Sequence, residues 1–216
     1  MFNVSNVSVS KTVNSKYVKP FSITYTLNGF KKTWDLIETH NSVSIVIYNH
    51  TRNVLVFVKQ FRPGVYINSI PEEDRVNPID TNKYPSSLGV TLELCAGIID
   101  KDKPLEEIAR EEILEECGYD VPLDKIKKVK NYRGAVGFAG EQQTLFYAEV
   151  TDNMKVSQGG GLAESGEFIE VVEMTLPQAK EVLCDGDCSG LNVPPGCLLG
   201  ILWFFYFIST QLKEIM

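Results

Sequence analysis

Apolar and polar positions alternate through the first third of the chain. Phe21-Ser22-Ile23-Thr24-Tyr25-Thr26-Leu27 and Lys32-Thr33-Trp34-Asp35-Leu36-Ile37 flank Asn28-Gly29, a strong hairpin signal. Ser42 to Tyr48 predicts a half-buried strand, residues 49–53 a turn, and the run Val54 to Phe61 a more buried strand. From Asn68 to Leu88 the pattern gives way to Pro, Asp, Glu, Asn and Ser, which predicts a long loop. Gly89 to Ala96 returns to strand. The period then changes. Leu105, Ile108, Ala109, Ile113 and Cys117 supply one side of a helix, with Pro104 near its first turn and Gly118 where a left-handed residue is wanted. Ile126–Tyr132, Gln143–Val150 and Phe168–Glu173 read as strands. Thr175 can cap a short helix over Leu176–Leu183, with Pro177 tolerated in its first turn. After a loop over Asp185–Gly196, the apolar run Cys197–Ile208 predicts a helix buried on most sides or packed at a subunit interface.

Charge changes the picture at the central helix. Glu106, Glu107, Glu111, Glu112, Glu115 and Glu116 crowd into it, and Glu112, Glu115 and Glu116 fall at i, i+3 and i+4, on one face. Glu111 and Glu115 are also i, i+4. Like charges at this spacing repel by a few tenths of a kcal/mol per pair. The later ones also sit toward the negative end of the helix dipole. The spacing fits a solvated acidic face. It fits equally a face that shares hard, oxygen-seeking cations such as Mg²⁺ with substrate phosphates.

Composition narrows the classes. The chain has 216 residues, 44% hydrophobic and 23% charged, enough for one good core with a small extension. Its formal net charge of −7 argues against a nucleic-acid binder. The longest apolar run is well short of the ~20 residues that span a bilayer, so no membrane is expected. Residues 1–11 are polar and lack a signal-peptide core, and five cysteines imply no disulfide framework. A cytoplasmic location follows as the expectation. Cys184 and Cys188 have no histidine near them in sequence, so no zinc site is expected. Two arginines stand in promising places. Arg62 lies at the mouth of a buried strand, suited to bidentate phosphate contact or to a plain surface turn. Arg133 opens the glycine-rich stretch 133–142, whose backbone a ligand could approach closely.

The stretch Gly97 to Tyr119 resembles the Nudix box, Gly-x5-Glu-x7-Arg-Glu-U-x-Glu-Glu-x-Gly-U, where U is aliphatic or aromatic. Gly97, Glu112, Ile113, Glu115, Glu116, Gly118 and Tyr119 fix the register. Two positions depart: Lys103 stands where the first Glu belongs, and Glu111 where the Arg belongs. Arg110 is adjacent but about 100° round the helix, so it is no obvious substitute. Further stretches resemble the nucleoside-diphosphate-sugar branch of the Nudix hydrolases, nearest to its animal members that cleave UDP-glucose. They include Val58-Lys59-Gln60-Phe61-Arg62-Pro63, Leu92-Glu93-Leu94-Cys95-Ala96-Gly97, Gln143-Thr144-Leu145-Phe146-Tyr147 and Gly159-Gly160-Gly161-Leu162 with Gly166-Glu167.

The resemblance implies an α/β/α sandwich around a mixed sheet over residues 41–216, preceded by an N-terminal β extension over residues 1–40 that serves dimerisation and substrate binding. It implies Mg²⁺-dependent hydrolysis of UDP-glucose to UMP and glucose 1-phosphate by a homodimer, with two or three metals and with Mn²⁺ as a substitute. Glu112 and Glu116 would be the main metal ligands, with Glu115 beside them and the backbone carbonyl of Ala96 added. Glu167 and Glu164 are the candidates for general base. Arg62 and Arg133 would hold the diphosphate. Tyr25 or Trp34 could stack on the base, although aromatics in such strands more often serve as core. ADP-ribose is the competing substrate. The departures at Lys103 and Glu111 keep open a catalytically weak nucleotide-sugar binding module.

Overall fold

A computed structural model describes residues 2–10, 15, 18–162, 164, 166–184 and 190–210. The hairpin forms as its alternation dictates. β1 (Lys19–Leu27) and β2 (Phe30–Glu38) pair antiparallel about Asn28 and Gly29, both at positive φ, as the primed turn requires. They make a two-stranded sheet of their own.

The main sheet is mixed. β3 (Ser42–Asn49) runs parallel to β8 (Gln142–Val150), and β8 is antiparallel to β7 (Ile126–Arg133). β4 (Val54–Phe61) meets β3 only at the turn end, over Ile47–Asn49, and carries β9 (Ile169–Thr175) on its other edge. Beyond that end β3 and β4 part. The freed edge of β4 takes β5 (Val90–Glu93), and the freed edge of β3 takes β6 (Cys95–Ile98). One strand was expected from Gly89 to Ala96. Two are found, broken at Leu94, because consecutive residues here satisfy two diverging edges. This splay opens the centre of the sheet, and the functional cleft lies there.

Both faces of the sheet are covered. On one, α2 (Leu105–Cys117) buries Ile108, Ala109, Ile113 and Cys117 against Val43, Ile45, Val58 and Phe146. On the other, α3 (Leu176–Cys184) and α4 (Pro195–Trp203) bury Ala179, Val182, Cys197 and Ile201 against Val46, Phe57, Leu92 and Leu145. The result is the expected α/β/α sandwich. A π-helical turn, Phe204–Ile208, continues α4. This last segment is not buried on most sides: Cys197, Gly200, Ile201 and Phe204 are buried, while Leu202, Tyr206 and Phe207 are exposed.

Pro63 and Gly64 do not simply turn. They start a short helix, α1 (Pro63–Asn68), which begins as Pro permits and is too brief to show a period. The long polar stretch after it folds over a small third cluster of Tyr66, Ile70 and Ile79. The end of α2 is as expected. Gly118 has φ 72°, its N–H reaches Leu114 O at 3.0 Å, and a Cβ there would stand 2.2 Å from Ser157 O. Among the described residues no helix is long and apolar enough to cross a membrane.

Candidate active site

The cleft encloses about 1090 Å³ and is open at one side. α2 presents Glu112, Glu115 and Glu116 to it, as their shared face requires. Glu167 reaches it from the glycine-rich loop, where its Oε2 accepts the Leu162 N–H at 3.1 Å. Arg62, Arg133 and Ala96 line the same space. Glu164 does not; it is exposed and outside the lining. Of the two candidate bases, only Glu167 is therefore brought to the glutamates.

Burial and mutual repulsion set the character of the acidic face. Glu116 is 1% exposed, and the Ala96 N–H donates to its Oε2 at 3.0 Å. Ala96 thus meets Glu116 through its N–H. Burial first, and Glu112 and Glu167 after it, push the Glu116 carboxyl up to about 8, against the pull of the Ala96 bond. Glu112 is pushed up to about 7 by burial and then by Glu115 and Glu167. Glu112 lies directly over Gly97, where a Cβ would come 2.0 Å from its carboxyl carbon. The glycine is required by the close approach, not by a turn.

Carboxylate oxygens that disfavour their own charge suit a hard divalent cation, and Glu112, Glu115 and Glu116 are the residues that would hold one, with Glu167 facing them. Among the described residues, no three such groups already stand at ligand spacing. Mutual repulsion would be relieved as a cation draws them together. A prediction follows by linkage. A carboxyl whose folded pKa is raised contributes stability that is fully present below its unfolded value near 4.5 and is lost as pH rises through 7 to 8. Metal-free protein should therefore melt lower at pH 8.5 than at pH 5.5. Mg²⁺ held by these carboxylates would compete with those protons, so its stabilisation should be larger at pH 8.5 by about 4 °C in Tm. Equal Mg²⁺ shifts at both pH values would refute the assignment.

Arg62 is held by a partner that sequence reasoning missed. Its Nε and Nη2 donate to Glu93 Oε1 and Oε2 at 2.7 and 2.6 Å, a fork-to-fork pair, and these bonds hold the guanidinium above its ordinary range. Thr91 donates to the same carboxylate at 2.5 Å. The signal was present: Thr91 and Glu93 alternate onto one face of a strand that is otherwise apolar. Arg133 is exposed, and its Nη1 donates to Gly140 O at 3.0 Å.

The two departures from the box answer each other. Lys103 pairs with Glu111, and Lys101 joins at 2.9 Å, holding the Glu111 carboxyl down at about 2. An acid in the loop and a base on the helix are replaced by a base in the loop and an acid on the helix. Arg110 faces elsewhere, donating to Asp120 at 2.6 Å. Tyr25 and Trp34 are not core. They line a shallow hollow of about 310 Å³ that joins the cleft through Val136, and the Trp34 indole N–H donates to Gly137 O at 2.7 Å. Cys188 lies outside the described residues.

The cleft thus sets the acidic face of α2 opposite Arg62 and Arg133. No family model matches the chain. Individual proteins do. The chain is 41% identical to the uridine diphosphate glucose pyrophosphatase NUDT14 of Bos taurus over 98% of this chain and 99% of the bovine one. It is 39% identical to NUDT14 of Mus musculus over 99% of each. Identity to the GDP-mannose pyrophosphatase of Salmonella arizonae is 31%, over 82% of this chain and 84% of that one. The chain belongs to the Nudix hydrolases, among their nucleotide-sugar pyrophosphatases.

Proposed function

We propose that the protein hydrolyses UDP-glucose across its diphosphate to UMP and glucose 1-phosphate, with Mg²⁺ as cofactor and Mn²⁺ as a substitute. One observation carries the reading: Glu112, Glu115, Glu116 and Glu167 line the same cavity as Arg62 and Arg133. The uridine preference is supported by the names of the bovine and mouse relatives. Glu112 and Glu116 would hold the cation, with Glu115 beside them and the Ala96 carbonyl as a further oxygen. When bound, the metal polarises the phosphates and lowers the pKa of a water. Glu167 takes the proton from the attacking water, since it is the loop carboxylate at the cleft. Arg62, braced by Glu93, and Arg133 orient the diphosphate.

The test is turnover of UDP-glucose and ADP-ribose side by side with Mg²⁺. UDP-glucose should give the higher kcat/KM, by about tenfold, a margin of the size binding contacts alone can supply. Faster cleavage of ADP-ribose would discard the uridine preference and leave the reaction type standing.

The same proposal includes a homodimer in the cytoplasm. The β1–β2 hairpin exposes Phe21, Ile23, Leu27, Phe30 and Trp34, beside the exposed Val136 and Phe138. Apolar patches of this kind mark interaction sites. Cys95, Cys117, Cys184 and Cys197 are free, which fits a reducing compartment. Light scattering should return twice the chain mass, and a monomer at micromolar concentration would remove the dimer.

A further inference from the structure

One wall of the cleft carries buried polar groups that hydrolysis at the glutamates does not use. Alternation along β3 and β8, and the Tyr132–Gln143 pairing of β7 with β8, set Ser44, Tyr132 and Gln143 on one face of the sheet. Glu141, one residue before β8, joins them, and all four line the cavity. The Ser44 hydroxyl, the Tyr132 hydroxyl and one carboxylate oxygen of Glu141 are buried and make no hydrogen bond. Ser44 is 7% exposed. Burial pushes the Tyr132 phenol up, so it is a neutral O–H; the nearby Ser44 hydroxyl opposes this only in part. The two hydroxyls fall short of hydrogen-bond geometry, and both keep their donor capacity.

Buried polar groups are normally paired, and three unpaired atoms on one wall point to a ligand that pairs them. The space over them is kept open by glycine. A Cβ at Gly196 would stand 2.5 Å from the Tyr132 hydroxyl, and one at Gly134 2.0 Å from Glu141 Oε1. The chemistry of the set is specific. A carboxylate oxygen accepts, whereas the Ser44 and Tyr132 hydroxyls each donate and accept. Adjacent ring hydroxyls of a sugar, which also donate and accept, match such a set. On a nucleobase edge each atom is fixed as donor or acceptor, a poorer match to hydroxyls that do both, and its flat faces fit the aromatic surface of the Tyr25 and Trp34 hollow.

We propose that Ser44, Tyr132 and Glu141 form a glycosyl subsite, binding the hydroxyls of the sugar half while the arginines hold the diphosphate. The proposal rests on the nucleotide-sugar reading above and adds the residues that select for a sugar.

The experiment compares two substrates, the glucosyl and the methyl ester of uridine diphosphate, in the full chain with Mg²⁺. Wild type is set beside Tyr132→Phe, Glu141→Gln and Ser44→Ala, with a thermal melt of each. The subsite requires KM for the glucosyl ester to rise about tenfold in Tyr132→Phe and in Glu141→Gln, while kcat/KM for the methyl ester stays within twofold. Equal losses on both esters would overturn it, placing the wall under the nucleotide or in the fold alone. Variants that match wild type on the glucosyl ester would overturn the subsite and leave the nucleotide-sugar reading intact. A wild type that cleaves neither ester would overturn that reading and the subsite with it.

Discussion

Glu116→Gln should lower kcat for nucleotide-sugar hydrolysis by about 10²–10³-fold while leaving the fold in place, the scale at which single electrostatic contacts to a reacting group act. Glutamine keeps the shape of glutamate and can still accept the Ala96 N–H, so the 3.0 Å tie to β6 survives. What is removed is the charge. That charge is unwelcome in the metal-free protein, where burial raises the Glu116 carboxyl to about 8. The variant should therefore melt at or above the wild type in chelator, yet lose most of the Tm gain that Mg²⁺ gives the wild type. This pairing separates the proposed role from a structural one, since a structural glutamate would lower the metal-free melt. Turnover within threefold of wild type, with the Mg²⁺ shift intact, would sink the assignment and favour a binding module in which the acidic face is only solvated.

The sequence foretold the elements whose signals are local. Leu105 to Cys117 carries a helical period with a proline before it and a glycine after it, and both ends fall where those residues direct. Asn28-Gly29 specifies its turn without help from the rest of the chain. Spacing alone made the site legible where one helix face holds it, and the strand mouth at Arg62 and the glycine-rich stretch at Arg133 marked two more of its lining residues. Glu112, Glu115 and Glu116 share a face by spacing alone, whatever they pack against.

What escaped depends on contacts across the sheet. The break at Leu94 follows from the parting of β3 and β4, a tertiary event with no local signature. The Glu93–Arg62 fork joins residues 31 apart, and Ser44, Tyr132 and Glu141 meet only because β3, β8 and β7 lie side by side. The charge exchange at Lys103 and Glu111 shows the converse. Read singly, each residue looks like damage to a motif; placed eight residues apart across the turn into α2, they form an ion pair with each other. Exposed pairs of this kind contribute little to stability, so its value lies in fixing the approach of the loop to the helix.

Gly97→Ala carries the second large effect, and it acts through geometry. Gly97 sits on β6 opposite Val43, and its backbone conformation is one that any residue can adopt. A Cβ there would come 2.0 Å from the Glu112 carboxyl carbon, 2.1 Å from its Oε1 and 2.6 Å from its Cγ. All three atoms belong to the far part of a flexible side chain, so the cost to folding is small: the side chain swings away. The cost falls on position. Glu112 must move by an ångström or more from its place beside Glu116, and a displacement of that size in a reacting constellation costs about 10²-fold in rate. The expected result is a normal melt in chelator, kcat reduced about 10²-fold, and a raised Mg²⁺ requirement. Glu112→Gln in the same background should add little, because both changes would disable the same proposed ligand. Full additivity of the two substitutions would mean that Gly97 serves the site by some route other than Glu112.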